Sequence, residues 1–145
     1  MASKAKGTQG TLLQRGDGAG TEVFTTIAEV LSIKGPSETT AELEVTSMDS
    51  SQKEFISDLP DSGEVSFEMN FVGNSASQQG LRTDLRAGTV RNFKLILNDQ
   101  QTTGKTTIAF SGIVKSLDLS ADKGSAYKAS ASIKVSGQPT WTYTT

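Results

Sequence analysis

The sequence predicts a mainly β protein, an antiparallel sheet arranged as a sandwich or barrel with one flanking α-helix. Three observations predict it. Short runs alternate apolar and polar residues, most clearly "EVSFEMNFVG" at 64–73, where Val65, Phe67, Met69 and Phe71 share one face and Glu64, Ser66, Glu68 and Asn70 the other. Gly, Pro, Ser and Asp clusters punctuate those runs as turns. Helical spacing is convincing only in "NSASQQGLRTDLRAG".

The elements follow in order. Residues 1–21 are Gly, Ser, Thr and Lys around the apolar pair Leu12 and Leu13, which reads as a flexible N-terminal arm with one anchor. "EVFTTIAEVLSI", Glu22 to Ile33, is β-branched enough for one long strand, ended by the turn signal Gly35-Pro36; "AELEV", Ala41 to Val45, is a short second strand. The 18 residues "TSMDSSQKEFISDLPDSG" at 46–63 make a long polar excursion in which only Phe55, Ile56 and Leu59 form an apolar knob. After the strand at 64–71, Ser75 or Ser77 can cap a helix whose Leu81 and Leu85 face the core, whose Arg82 and Arg86 face water, and which Gly88 ends. Strands at Val90–Leu97, Thr106–Leu119 and Ala126–Gly137 complete the sheet, and "PTWTYTT" closes the chain.

A chain of 145 residues is one domain, and its 34% apolar content is low enough that much of it must be loop, edge or interface. With no Cys and no His it lacks disulfides, thiol chemistry, the usual general base and the commonest metal ligand. Neither an apolar leader nor a run of ~18 apolar residues is present, so synthesis in a cytoplasm without membrane insertion is expected. Net charge is −2, but it is segregated: +2 over 1–21, −9 over 22–72 and +5 over 73–145. Such asymmetry speaks to association.

Motifs for chemistry fail on inspection. "GDGAG" at 16–20 has no strand before it or helix after it, "GKTT" at 104–107 lacks the leading glycine of a phosphate loop, and "RGD" at 15–17 is a chance tripeptide. Asp58, Asp61 and Glu64 match no calcium loop, and Glu64 with Glu68 has no interleaved aromatic to hold a sugar. No catalytic, cofactor or metal residue is therefore expected. Trp141 and Tyr143 alternate at the C-terminus, which keeps open a monomeric β-sandwich module that binds a ligand or carbohydrate.

Taken together, "GTQGTLL" before a long strand, "SIKGPSETTAELEVTSMDS", "LPDSGEVSFEMNF", a helix, "VRNFKLILND", "IAFSGIVKSLDLS" and "ASIKVSGQPTW" form a succession that resembles the tail tube (major tail) proteins of long-tailed bacteriophages. The resemblance implies a structural, non-enzymatic virion protein without cofactor: hexameric rings stacked head to tail into a hollow tail tube, assembled in the bacterial host cytoplasm. The tube encloses a tape-measure protein, meets tail terminator and tail-tip proteins at its ends, and conducts phage DNA without sequence-specific binding. It also implies an antiparallel sheet that contributes to an oligomeric β-barrel. If six subunits lend about four strands each, ~24 strands spaced ~4.8 Å give a backbone diameter of roughly 37 to 48 Å, wide enough for duplex DNA. On this reading Glu64, Ser66, Glu68 and Asn70 line the lumen, where carboxylates repel phosphate. Inter-ring contacts fall to Lys4, Lys6, Leu12 and Leu13 of the arm and to Asp49, Lys53, Glu54, Phe55, Ile56, Asp58 and Asp61 of the long loop.

Overall fold

In the computed structural model, residue 7 and residues 9–99 and 105–143 are described. Lys4 and Lys6 lie outside them. The elements run β1 (Leu12–Gly16), β2 (Phe24–Thr26), β3 (Val30–Lys34), β4 (Thr39–Glu44), β5 (Phe55–Asp61), β6 (Glu64–Asn70), α1 (Ala76–Ala87), β7 (Arg91–Ile96), β8 (Thr107–Ser120) and β9 (Lys128–Thr142). Mainly antiparallel β structure with one helix is what the alternating pattern requires. Seven strands form one sheet in the order β2-β1-β7-β8-β9-β6-β3, and β4 and β5 pair only with each other.

The order of the large sheet holds a geometric constraint. β2 and β3 sit at opposite edges, yet only Ile27, Ala28 and Glu29 join them. Four Cα steps span at most ~15 Å, so the sheet must curl until its edges nearly meet. The corner bonds both sides: Ile27 N–H donates to Leu13 C=O at 2.8 Å, and Asn70 N–H donates to Glu29 C=O at 3.0 Å. Glu29 turns the corner at φ 53°. This overturns the single strand expected over 22–33, because a β-branched run with no Gly or Pro hides a corner.

Bulges supply the curvature. The β8–β9 register shifts between Ala109 and Ser111 and again between Val114 and Ser116. The first shift takes up Gly137, at φ 81°, and Pro139, which has no N–H to give to a ladder. β9 therefore continues past the expected stop at Gly137 to Thr142. The interior of the curl is filled by Leu13, Ile27, Val65, Phe67, Met69, Phe93, Ile108, Phe110 and Ile133, with Phe93 and Phe110 stacked at 5.6 Å. Phe71, expected on the same face, lies beyond the strand and is exposed.

Helix α1 closes the curl, with Leu81 fully buried and Leu85 packed on the core, and Gly88 ends it at φ 66° in the left-handed conformation. Two polar side chains on its inner face fix it. Gln78 donates to Ala28 C=O at 3.0 Å and Asn70 C=O at 2.9 Å and accepts from Val72 N–H at 2.9 Å, tying the helix to the corner and to β6. Asp84, only 1% exposed, accepts from Arg15 Nε at 2.5 Å and Nη2 at 2.9 Å and from Arg91 Nε at 3.0 Å, tying it to β1 and β7. The Arg15 guanidinium is held above its ordinary pKa, first by its hydrogen bond to Asp84 and then by the charges of Asp84 and Asp17, against the opposing effect of burial.

Residues 12–16 are thus an inner strand rather than part of a flexible arm. Their Leu13 is core. Asp84→Asn would leave two largely covered guanidinium groups without their counter-charge, and removing one partner of such a buried set costs about 3 to 5 kcal/mol. The expected outcome is a clear fall in the urea midpoint with the slope unchanged; an unmoved midpoint would show that the helix is held by packing alone.

Candidate functional site

Two surfaces lack a function inside the monomer. The first is the outer face of the sub-sheet β3-β6-β9-β8. On β6, Glu64, Ser66, Glu68 and Asn70 are half-buried and alternate with core residues. Register sets their neighbours: Glu64 stands opposite Lys134, Ser66 opposite Ser132 and Lys34, and Glu68 opposite Ser130 and Ser32. Ser116 on β8 shares a hydrogen bond with Ser132 at 2.7 Å. The middle of this face is therefore a floor of five serines.

Of its two glutamates, Glu64 is paired rather than free as the sequence reading expected, while Glu68 enters no ion pair among the described residues. Lys115, at the β8 bulge, hydrogen-bonds Glu64, and Lys134 pairs with Asp61 at 3.2 Å. The hydrogen bond from Lys115 holds the Glu64 carboxyl below its ordinary range, with the charges of Lys115 and Lys134 adding to it. Arginines are placed elsewhere: Arg15 and Arg91 on Asp84, Arg82 and Arg86 on the helix.

The second surface is the β4–β5 hairpin, where the sequence reading placed a loop over 46–63. Every residue of both strands is exposed. Leu43 and Ile56 stand directly opposite each other, 51% and 52% exposed, and Met48 at the tip is wholly exposed. The tip is ordered by its own hydroxyls: Ser47 Oγ donates to Asp49 at 2.6 Å, Ser50 Oγ to Glu54 at 3.0 Å, and Glu54 N–H to Thr46 Oγ1 at 2.9 Å. Asp49, Lys53, Glu54, Phe55, Ile56, Asp58 and Asp61 all lie on this exposed hairpin. A free two-stranded ribbon is marginal in water, and half-exposed Leu and Ile on it are surplus to a monomer.

The neck of the hairpin is tight. A Cβ on Gly35 would lie 2.4 Å from Glu64 C=O and one on Gly63 2.5 Å from Ser37 C=O, while Ser62 Oγ donates to Gly137 C=O at 2.7 Å. The hairpin thus leaves the body in a set direction. Of the other predicted positions, Leu12 is half-buried on β1 and Leu13 is wholly buried, which removes Leu13 from any contact with a neighbour. Trp141 and Tyr143 stack on each other at 6.0 Å near the end of the chain. The sequence reading missed Gln78 and Asp84. Their signal was present, since both fall on the Leu81 stripe of the helix, where a polar residue needs a partner.

Against this geometry, residues 15–142 match the family described as lambda phage tail tube protein, TTP. The chain belongs to that family. Solved structures share its fold. The tail of an empty gene transfer agent particle, refined helically with C6 symmetry, aligns at TM-score 0.76 with 18% identity over 96% of this chain and 100% of that one. The sheath/tube terminator of the extracellular contractile injection system PVC aligns at 0.75 with 11% identity over 99% and 100%. The SPP1 tail tube aligns at 0.67 with 14% identity over 90% and 74%. No curated protein sequence matches significantly.

For this tail tube protein the role is structural, as a tube component of a phage-type tail, and the ion pair at Glu64 is a measurable feature of its outer face. A carboxyl with a lowered folded-state pKa contributes stability that is fully present above the unfolded value and is lost as pH falls through the folded one. A carbon-detected titration of Glu64 should therefore give a midpoint below 4.5, and Lys115→Ala should raise it toward 4.5. A midpoint indifferent to Lys115 would remove the pair.

Proposed function

We propose that this tail tube protein forms rings of six that stack head to tail into a hollow tube, with the serine face lining the lumen and the hairpin crossing to the next ring. The observation that carries the reading is the hairpin, a rigidly rooted and fully exposed ribbon with apolar side chains that its own chain leaves uncovered. An unlike-surface contact of this kind does not close on itself, which is what an open-ended filament requires.

Sheet edges support the ring. β3 is an edge strand, and β7 pairs with β8 only over Thr107–Gly112, so among the described residues 113–120 of β8 have a sheet partner on one side only. β3, β6, β9 and the second half of β8 thus form a four-stranded unit with two open edges. Directions alternate across it, so joining β3 of one copy to β8 of the next keeps the alternation, and closure into a barrel of about 24 strands removes both of these edges.

The lumen reading rests on a different mechanism from simple repulsion. Glu64, Ser66, Glu68 and Asn70 belong to a face of small hydroxyls and mixed charge, with Glu64 paired to Lys115, rather than a row of repelling charge. DNA passes such a wall because its lysines are offset, Lys115 by Glu64 and Lys134 by Asp61, with Glu68 beside Lys34 and Lys128, and because no arginine on it offers a bidentate phosphate contact. The tape-measure protein fills the same channel before DNA does, terminator and tip proteins close the two ends, and the assembled tube belongs to the virion tail after synthesis in the host cytoplasm.

Electron microscopy of the purified protein across a concentration series tests this. Hollow sixfold tubes are expected above a threshold concentration, with Ser66 and Ser132 on the inner wall of the reconstruction. Monomers at every concentration would overturn the tube, and tubes with those serines on the outer wall would overturn the lumen assignment.

A further inference from the structure

The hairpin lies at one end of the molecule. It leaves the sheet beside Glu64, the first residue of β6, and the strand then runs six steps, about 20 Å, to Asn70 at the far end. At that far end an apolar cleft opens between α1 and the last turns of the sheet. Phe71, Leu117, Leu119 and Ala129 line it, with Arg82 and Asp118 at its rim. Phe71 and Leu119 are 43% and 61% exposed, and nothing else in the described chain covers them.

Charge matches the two ends. Residues 37–62 carry Glu38, Glu42, Glu44, Asp49, Glu54, Asp58 and Asp61 against Lys53 alone, a net of −6. Among the described residues Glu42, Glu44 and Asp58 enter no ion pair, and neither do Arg82 and Arg86 on the exposed side of α1. Unpaired carboxylates thus flank an apolar ribbon at one end of the chain, and the unpaired Arg82 lines an apolar cleft at the other, with Arg86 one turn further along α1. Asp118, which lines the cleft together with Arg82, opposes this match at one point.

We propose that the cleft beside Phe71 and Leu119 receives the β4–β5 hairpin of a second copy of this chain, with Leu43 and Ile56 against its apolar floor and Arg82 and Arg86 facing the hairpin's carboxylates. This rests on the stacked-tube reading and names the surface that the hairpin meets. The contact is directional because donor and acceptor lie at opposite ends of one molecule, so each copy accepts below and inserts above. Burial of the apolar pair supplies affinity, and the charges select register and speed encounter.

The chain has no cysteine, so single-cysteine variants report the contact without background. Leu43→Cys and Leu119→Cys, both at exposed positions, are mixed, allowed to polymerise, pelleted and treated with a short bismaleimide. A cross-linked dimer in this mixture, and none in a mixture of Leu43→Cys with Ser130→Cys, is expected. Arg82→Glu should raise the concentration needed for polymerisation about tenfold at low salt and less at high salt. Normal polymers without the Leu43–Leu119 cross-link, or with Arg82→Glu indifferent, would overturn the cleft while leaving the tube in place; failure of the unmodified protein to polymerise at all would overturn both.

Discussion

A seven-stranded sheet whose two edges are joined by three residues has to be closed, and the closure rests on two polar side chains of the helix. Gln78 holds the corner at Ala28 and the end of β6, while Asp84 gathers Arg15 from β1 and Arg91 from β7. Both are buried, so their hydrogen bonds are strong in the low local dielectric and costly to break. They also fix where α1 sits, and with it the positions of Arg82, Arg86 and the cleft at the far end of the sheet. The polar contacts inside the fold thereby set the spacing between the surfaces outside it.

What the fold leaves unsatisfied is as informative as what it buries. Hydrogen-bonding edges at β3 and the second half of β8, a hairpin with no cover and an apolar cleft are each a cost to a monomer, through open ladders and wetted apolar area. In the proposed tube, one set of neighbours would cover all of them. The serine face between those edges is the exception, since it presents hydroxyls and charges that need no cover from a neighbour.

Much of this was legible in the sequence, and the failures have physical causes. The 64–70 alternation named the core face of β6 because that strand has one buried and one wetted side. Leu81, Leu85 and Gly88 located the helix for the same reason. The β1 strand was obscured by flanking glycines, and the corner at Ala28 by β-branched residues on either side. The strand expected over 41–45 is present as β4, but its partner β5 escaped because every residue of it is exposed, so it shows no in-and-out alternation. Charge counted by segment showed asymmetry but could not show pairing: Glu64 reads as a free carboxylate until the bulge in β8 brings Lys115 to it.

The central claim is that this monomer carries surfaces completed only by other copies of itself. Amide hydrogen exchange on the same preparation before and after polymerisation addresses it directly. The account predicts that amides of 39–61 exchange rapidly in the monomer and become protected in the polymer, together with those of β3 and residues 113–120, while the core strands and α1 are slow in both. A hairpin already protected in the monomer, or still unprotected in the polymer, would contradict it.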